Sequence, residues 1–328
     1  MSVLAFVVIA GMLAVYVLLD GYDLGVATIT PLVARTDRER EGSMQSIGPF
    51  WNGNEVWLIA TGGVLFALFP VAYAVSFSGF YLAFMVVLWL LMFRGIAMEL
   101  RSHFPSAIWH QFWDACFAGS SALLIVLFGV AIGNLLRGVP LGPDGYFSGT
   151  FGELLNSYAL MVAALALAAL ALHGVAFLVM RTSGPAAERA RRLVPVLWPI
   201  TLVLYIAVTA ATVSERGIGW NWIDCIPILS LASLGAVLLT SLRKRERVAF
   251  GASSLWLASL LFQAAATMYP YLLPALPPGH GGISIFDAAP SPLALATALT
   301  VTLAGLAGVI VYGTFALRQM AGKLTVEE

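Results

Sequence analysis

The chain has 328 residues, with 17 acidic and 17 basic side chains and therefore no formal net charge. Its residues are 60% hydrophobic and only 10% charged, whereas about a quarter of the residues in a soluble domain are charged. This composition excludes an ordinary soluble globular protein. The absence of net charge also gives no reason to expect nucleic acid as a partner.

Nine apolar segments are long enough to cross a bilayer, which takes about 20 mostly apolar residues. In chain order they are residues 3–19, 56–73, 79–95, 115–135, 154–180, 193–213, 226–242, 248–268 and 293–317. Only residues 74–78 separate the second segment from the third, so eight spans are an alternative. We predict an all-α, polytopic membrane protein with a single transmembrane domain over residues 1–328.

The basic residues are distributed asymmetrically between the two sides of the nine-span arrangement. One set of loops and span ends holds every Lys and Arg except Arg137 and Arg216, which lie on the opposite side. Short cytoplasmic loops carry the excess of Lys and Arg in membrane proteins. The asymmetry therefore predicts an external N-terminus and a cytoplasmic C-terminus.

Acidic side chains lie next to the ends of the first two apolar segments. Asp20 and Asp23 close the first segment and lie three residues apart, nearly on one helix face. Glu55, flanked by Asn52 and Asn54, opens the second segment. A charge near the bilayer centre costs at least ~2.5–3.5 kcal/mol, so such residues usually face a bundle interior or a wet cavity. The pattern therefore indicates a site and not a lipid-facing surface.

Two interpretations of Asp20 and Asp23 remain open. At the cytoplasmic end of the first span they could admit protons, because carboxylates are common relays in membrane energy conversion. They could instead be structural acids that bind loop amides or pair with an arginine. At the end of the third span, Arg94, Glu99 and Arg101 indicate a charge network at the cytoplasmic boundary. Asp114 is either a further member of this network or an acid that stabilises a helix N-terminus.

Eight longer motifs occur in a fixed order along the chain. They are LDGYDLGV (19–26), PFWNGNEVWLI (49–59), GGVLFALFPVAYAVSFSGFY (62–81), FRGIAMELR (93–101), GNLLRGVP (133–140), LHGVAFLVMRT (172–182), MYPYLLP (268–274) and FDAAPSPLAL (286–295). From about residue 15 to residue 317, the chain resembles subunit II of cytochrome bd-type quinol oxidases, including their cyanide-insensitive branch.

The resemblance implies a haem-free second subunit of a membrane quinol:dioxygen oxidoreductase, which reduces dioxygen to water electrogenically. Its helices would form two four-helix bundles plus a peripheral helix. Haem b and haem d would be carried by the partner, subunit I, and quinol would be the substrate. Further expectations are membrane lipids, small single-span accessory subunits and a bound quinone or lipid. The expected location is the bacterial cytoplasmic (inner) membrane.

Roles for individual residues follow from these expectations. The acids expected on a proton path are Asp20, Asp23, Glu55 and Glu99. Trp57 would lie near a dioxygen path towards subunit I, with ordinary helix packing as the alternative. At Asn52 the chain departs from a common family pattern, which has an acid there. Because an amide cannot ionise, Asn52 and Asn54 are expected to hold water and not to carry protons.

His173 is the only histidine inside a predicted span. A haem-bearing chain should show several intramembrane His or Met ligands, and the sequence contains no CxxCH, HExxH or other metal-spaced cluster. We therefore expect no haem ligand and no metal site in this chain. We expect His173 to be hydrogen-bonded within the bundle, and Arg94 and Arg101 to be structural.

A proton-coupled secondary transporter is the alternative function. It would explain intramembrane acids and helices interrupted by Gly or Pro, and it predicts related halves with discontinuous helices in matching positions. Neither feature is visible in the sequence.

Overall fold

The computed structural model describes residues 1–216, 225–276, 281–319 and 322–325. Within these ranges the chain forms 11 α-helices, two 3₁₀ turns and four short strands. The helices are α1 (Ser2–Val33), α2 (Asp37–Ile47), α3 (Trp51–Leu68), α4 (Pro70–Gly79), α5 (Tyr81–Leu100), α6 (Ala107–Arg137), α7 (Ser157–Arg181), α8 (Pro185–Arg216), α9 (Cys225–Leu242), α10 (Glu246–Met268) and α11 (Pro292–Gln319).

Seven of the described helices, α1, α5, α6, α7, α8, α10 and α11, are long and apolar enough to cross a membrane. The shorter α9 is also apolar. The start of α3 lies beside Asp23 of α1, and the last residue of α3, Leu68, belongs to the same core cluster as Phe6 near the start of α1. Helix α3 therefore runs antiparallel to the first half of α1. These elements confirm the predicted all-α polytopic membrane fold with about nine spans.

The helices pack as two groups of four with one helix at the edge. Helices α1, α3, α5 and α6 form the first group, and α7, α8, α9 and α10 form the second. The groups meet where α7 packs against both α1 and α6. Helix α11 lies outside both groups and packs mainly on α3. This arrangement matches the predicted two bundles and peripheral helix.

Helix α7 occupies the centre of the fold, and most of its residues are buried. It is rich in Ala and Leu, the residues with high helix propensity. Its first turn is capped by Asn156, whose side chain accepts a hydrogen bond from the Ala159 amide over 3.0 Å. The small side chains of α7 allow close approach of the neighbouring helices, which positions α1 and its acids.

Helix α1 is longer than the apolar pattern indicates. The pattern ends the first span at residue 19, but the helix continues without interruption to Val33. Its 32 residues correspond to a length of roughly 48 Å, which places Asp20 about 27 Å from the helix start. Asp20 and Asp23 therefore lie inside a continuous helix and not at the end of one.

The segment between the second and third predicted spans also differs from expectation. Helix α3 ends at Leu68, and the short helix α4 begins at Pro70. Proline fits the first turn of a helix, where its missing N–H would have no partner. Gly95 of α5 faces the Trp51 ring of α3, so the end of α5 returns to the start of α3. The two helices therefore pass through the fold in opposite directions, as two separate spans do.

Charged side chains gather at one end of the molecule, where they join elements distant in sequence. Arg189 of α8 pairs with Glu39 of α2 over 2.5 Å. Arg191 of α8 and Lys323 both pair with Glu246 of α10, over 2.7 and 2.5 Å. All three cations belong to the set that the sequence assigns to the cytoplasmic side. The structure thus brings these loops to a single end of the fold.

The opposite end is formed by irregular backbone and a short β-hairpin. Strands β2 (Tyr271–Pro274) and β3 (Gly282–Ser284) pair antiparallel. The Val139 amide, just after α6, donates a hydrogen bond to the Pro274 carbonyl over 2.9 Å. Two other strands, β1 (Thr182–Ser183) and β4 (Leu324–Thr325), pair in parallel at the charged end.

Candidate functional site

A single buried cation, Arg94 of α5, lies at the centre of the candidate site. Its Nη2 donates a hydrogen bond to Oδ1 of Asp20 over 2.7 Å and lies 3.7 Å from Oδ2 of Asp23. Its Nη1 lies 3.7 Å from Oε2 of Glu55. Arg94, Asp20 and Asp23 are fully buried. The three carboxylates come from α1 and α3, so the site forms only when α1, α3 and α5 pack together.

Asp20 is bound on both carboxylate oxygens. Arg94 binds Oδ1, and the Tyr16 hydroxyl donates to Oδ2 over 2.9 Å. Tyr16 and Asp20 are four residues apart and therefore lie on one face of α1. The aspartate thus has a fixed orientation, with one charged and one neutral donor.

Asp23 is held by an amide and not by a second cation. Nδ2 of Asn54 donates to Oδ2 of Asp23 and to the Tyr22 hydroxyl, each over 2.8 Å. Within the described chain, Oδ1 of Asp23 has no hydrogen-bond partner. Buried polar groups normally have partners, so the hydrogen bonds of Asp23 are incomplete within the described part of this chain.

Glu55 forms the rim of the cluster. Its side chain retains 20% of its full exposure, whereas the side chains of Asp20, Asp23 and Arg94 retain none. The next residue, Val56, is largely uncovered, and so is Ile59 one turn later. Glu55 therefore connects the buried acids with the face of α3 that this chain leaves open.

We refer to Asp20, Asp23, Glu55 and Arg94 as the Arg94 cluster. Fully ionised, it carries three negative charges and one positive charge. Like charges in a buried site disfavour simultaneous ionisation, because the low dielectric strengthens their repulsion. The arrangement is therefore suited to binding and releasing protons.

The expected boundary network exists, but its membership differs from the prediction. Arg101 pairs with Asp114 over 2.6 Å and with Asp37 over 2.5 Å. Arg40 lies 3.7 Å from Asp114, and Nδ1 of His110 lies 3.1 Å from Asp37. Arg94 belongs to the buried cluster instead, because it lies two helical turns before Arg101 on α5.

Helix α2, outside the spans, is held to this end of the molecule by its acids. Partial burial acts to raise the pKa of Asp37, but the hydrogen bonds and charges of Arg101 and His110 place it below the ordinary value. Burial likewise acts to raise the pKa of Glu39. Hydrogen bonds from Arg189 and from the Arg35 and Thr36 amides outweigh this effect, so the pKa of Glu39 lies below its ordinary value. Both acids therefore act as charged anchors for α2.

His173 is fully buried on α7 and has a partner at each ring nitrogen. Nε2 lies 3.0 Å from the Leu18 carbonyl of α1, and Nδ1 lies 2.8 Å from the Ser253 hydroxyl of α10. The ring stacks on Phe250 with its centroid 5.0 Å away. His173 thus joins α1, α7 and α10 through hydrogen bonds within the bundle.

Glu99, Asn52 and Trp57 are further predicted site residues that lie outside the cluster. Glu99 is exposed, and its backbone carbonyl lies 2.9 Å from Nδ1 of His103. Asn52 is also exposed, one turn before Glu55 on α3. Trp57 is half-buried on α3, and its backbone carbonyl accepts the Thr61 hydroxyl over 2.7 Å.

The sequence reasoning missed Tyr16, Tyr22 and Ser253. The spacing of four between Tyr16 and Asp20 is a usable signal, because such residues share a helix face. For Ser253 no such signal exists, since it lies 80 residues from His173. Buried serines are common in membrane helices, where they bond to their own backbone or to a neighbouring helix.

A cavity of about 160 Å³ adjoins the Arg94 cluster. It lies between α1, α6, α7, α8 and α10, and its lining is mostly apolar. Tyr16 separates it from Asp20, and at another point Tyr205 donates a hydrogen bond to Gln263 over 3.3 Å. An apolar cavity of about 150 Å³ holds a benzene-sized ring, so this space suits one ring or part of an acyl chain.

His173, the histidine inside the spans, is not free to bind a haem. Both ring nitrogens of His173 are engaged in hydrogen bonds. No group of three or more His, Cys, Asp or Glu side chains in the described ranges is arranged to hold a metal ion. The cluster that does form, three carboxylates around a guanidinium, already has its own cation.

Comparison with known proteins gives one consistent family. A family model described as cytochrome bd terminal oxidase subunit II matches residues 1–320. Cytochrome bd-I ubiquinol oxidase subunit 2 of Escherichia coli (strain K12) is 32% identical, over 94% of this chain and 91% of its own length. A probable cytochrome oxidase subunit 2 of Haemophilus influenzae is 31% identical, over 93% and 90%.

A solved structure shares the fold. The bd oxidase of Geobacillus thermodenitrificans includes a chain that matches with a TM-score of 0.80 and 17% sequence identity. The match covers 97% of this chain and 98% of the other. At this identity the likeness concerns the fold alone.

Proposed function

This chain belongs to the cytochrome bd terminal oxidase subunit II family, and from that premise we propose how it serves a quinol oxidase. It is an integral membrane subunit of the oxidase complex, and subunit I is its partner. The family assignment does not favour the secondary transporter. We propose that the whole chain, residues 1–328, acts as one membrane domain that stabilises subunit I and conducts protons towards it.

The proton path is proposed to pass through the Arg94 cluster. The observation that carries this proposal is three carboxylates around one fully buried guanidinium. Dioxygen reduction to water consumes protons, so a reservoir of shared protons has a use in this complex. Asp20 and Asp23 would hold protons in the interior, and Glu55 would pass them on at the rim.

The uncovered face of α3 and α5 is the basis for the proposed direction of proton transfer. Large apolar side chains there are not covered by this chain, among them Ile59, Phe66, Leu88 and Trp89. Subunit I, lipid and small accessory subunits are the proposed occupants of such surfaces. Glu55 opens on the same side as Val56 and Ile59, which supports proton delivery towards the partner. Trp57, on the same helix, is proposed to border the dioxygen path.

The cofactors are proposed to lie mainly outside this chain. Haem b and haem d would be bound by subunit I, where the electrons of quinol reduce dioxygen. A quinone ring or a lipid chain is proposed for the cavity beside Tyr16, whose size and apolar lining support it. The N-terminus is proposed to be external and the C-terminus cytoplasmic in the bacterial inner membrane.

Replacement of Asp20 by Asn tests the proton path. Asp20→Asn keeps the size of the side chain and one acceptor oxygen for Arg94, but it removes the ionisation. Acid–base groups contribute about 10²–10⁴-fold to proton-transfer steps, so we expect quinol oxidase turnover to fall on the order of tenfold or more. Haem content and subunit assembly should persist, because Asp23 and Glu55 still neutralise Arg94.

The control is Glu41→Gln, which alters an exposed acid of α2, outside the spans. It should leave turnover within about twofold, since surface substitutions away from a site have small effects. Full turnover in Asp20→Asn would make Asp20 a structural anchor. If haem is lost together with turnover, Asp20 serves assembly. The turnover of Glu55→Gln, a change at the partly exposed rim, then decides whether the cluster carries protons.

A further inference from the structure

The proton path described above does not use His173, although it is buried beside the path. His173 binds α1 at the Leu18 carbonyl, two residues before Asp20. Its neighbour Tyr22 accepts a hydrogen bond from Asn54, which also binds Asp23. The ring centroids of His173 and Tyr22 are 6.2 Å apart. The imidazole therefore lies just behind the acids of the Arg94 cluster, on the α7 side.

The hydrogen bonds of His173 fix the hydrogen on one ring nitrogen but not on the other. A carbonyl oxygen can only accept, so Nε2 must carry a hydrogen towards Leu18. Nδ1 faces the Ser253 hydroxyl over 2.8 Å, and a hydroxyl can donate or accept. The same hydroxyl lies 2.8 Å from the Phe250 carbonyl, one turn earlier on α10. Ser253 thus has two acceptors within reach and one hydrogen.

This geometry satisfies both protonation states of the ring. When His173 is neutral, the Ser253 hydroxyl donates to Nδ1. When Nδ1 gains a proton, it donates to the Ser253 oxygen, and the hydroxyl hydrogen turns to the Phe250 carbonyl. No hydrogen bond of the ring is lost in either state, which removes the usual penalty for an unsatisfied buried polar group.

Charged groups of both signs surround His173. On α1 the nearest titratable groups are Asp20, Tyr22 and Asp23, and the cation Arg94 of α5 binds the same acids. Helix α7 itself carries Arg181 at its end. Of the helices packed on α7, α6 carries Asp114 and Arg137 and α10 carries Glu246 and Arg247, whereas α2 and α8 carry their charged residues at or near their ends. The Arg94 cluster has more carboxylates than cations, so a positive charge behind it is attracted.

We propose that His173 is a proton-binding site, with the Ser253 hydroxyl turning between Nδ1 and the Phe250 carbonyl as the proton arrives and leaves. One proton from the cytoplasm or from a carboxyl of the cluster binds Nδ1, and the ring gains one positive charge. When a carboxyl is the donor, its O–H bond breaks as the Nδ1–H bond forms, and the carboxyl becomes a carboxylate. The positive charge on His173 offsets the negative charge that remains when the Arg94 cluster releases a proton. This inference therefore rests on the proposed proton path.

Infrared difference spectroscopy of the purified oxidase complex tests the proposal. Spectra are taken between about pH 5 and about pH 9, a range around the ordinary histidine pKa of about 6.5. We expect an imidazolium signal that exchanges slowly in heavy water, because His173 is fully buried. His173→Gln, whose amide can donate to Leu18 and accept from Ser253, should abolish this signal. Identical slow-exchanging spectra in the parent complex and in His173→Gln would overturn the proposal.

Two further variants keep the result interpretable. His103→Gln alters an exposed imidazole and should remove only a fast-exchanging signal. Ser253→Ala retains His173 but removes the only hydroxyl that the protonated ring uses, so the slow-exchanging signal should lose most of its intensity. An unchanged signal in Ser253→Ala would contradict the role of the hydroxyl, even if His173→Gln failed to assemble.

Asp20→Asn separates this inference from the proposed proton path. If turnover persists in Asp20→Asn while the His173 signal is present in the parent complex, the proton path is wrong and the His173 site stands. If turnover falls but no His173 signal is found in any variant, the path stands and this site does not. Where both hold, Asp20→Asn should also weaken the His173 signal, because one negative charge is removed.

Discussion

At the scale of single residues, one arginine determines the character of the buried site. Arg94 compensates three carboxylates, and it is the only cation within 4 Å of them among the described residues. Breaking a buried ion pair by removing one partner commonly costs about 3–5 kcal/mol, because the remaining charge is left without compensation. Arg94 is therefore needed for assembly as well as for electrostatic balance.

The two asparagines of α3 have different environments although they are two residues apart. Asn54 is buried and binds Asp23 and Tyr22, whereas Asn52 is exposed. The carboxylate of α3 that reaches Arg94 comes from Glu55, one turn after Asn52.

This difference gives a prediction with a matched control. Asn54→Ala leaves Oδ2 of Asp23 without its amide donor, and an unsatisfied buried group costs about 1–3 kcal/mol. We expect the complex to lose its haem spectrum at a temperature several degrees lower. Asn52→Ala should change stability by less than about 0.5 kcal/mol, as exposed substitutions do. Equal shifts in the two variants would show that the Asn54 hydrogen bonds contribute nothing.

At the scale of the helices, the close crossing of α1 and α7 determines where the acids lie. Gly25 of α1 and Gly174 of α7 face each other without side chains between them. A Cβ built on Gly25 would overlap the Leu170 carbonyl oxygen and come within 2.9 Å of the Gly174 backbone. Pairs of small residues permit this approach in membrane helices. The crossing holds Asp23, two residues earlier, against the core.

We predict that Gly25→Ala forces these helices apart. Overpacking of this kind costs about 1–3 kcal/mol, and the displaced α1 should also reduce turnover by shifting Asp23. Thermal inactivation and quinol oxidase activity of the complex measure the two effects. Gly11→Ala is the control on the same helix, because a Cβ there meets no atom within 4 Å. A Gly25→Ala variant as stable and active as Gly11→Ala would contradict the tight crossing.

At the scale of the whole molecule, charge separates the two ends. Ion pairs at one end join α2 to Arg101, just after α5, to α6 and to α8, and they join α8 to α10. The cations in these pairs belong to the set that the alternation of spans places in the cytoplasm. Because distant elements supply them, the agreement between sequence and structure supports the order of the spans.

A reporter fusion tests the sidedness. A protein that fluoresces only in the cytoplasm, fused after Glu328, should be bright, since cytoplasmic loops carry the excess of Lys and Arg. The same reporter fused after Ser148, in the segment that follows α6, should be dark. A dark C-terminal fusion together with a bright one after Ser148 would reverse the orientation.

The sequence by itself determined the membrane class and the approximate number of spans, and it pointed to three acids, Asp20, Asp23 and Glu55, that the fold brings together. These features follow from local composition, because a bilayer requires apolar segments and makes intramembrane charges costly. The motifs also led to the correct family. None of this depends on how the helices contact one another.

Only the tertiary structure decided which side chains meet. Asp20 and Arg94 are 74 residues apart, and His173 and Ser253 are 80 apart. The helical period tells which residues share a face but not which face meets which neighbour, so the sequence could not choose between Glu55 and Glu99 as the acid near Asp20; Glu55 reaches Arg94, and Glu99 lies exposed. The length of α1 was also underestimated, because apolar patterning ends at the first acid. A helix continues through buried acids when a neighbouring helix supplies a cation, here Arg94, and that partner is known only from the packed fold.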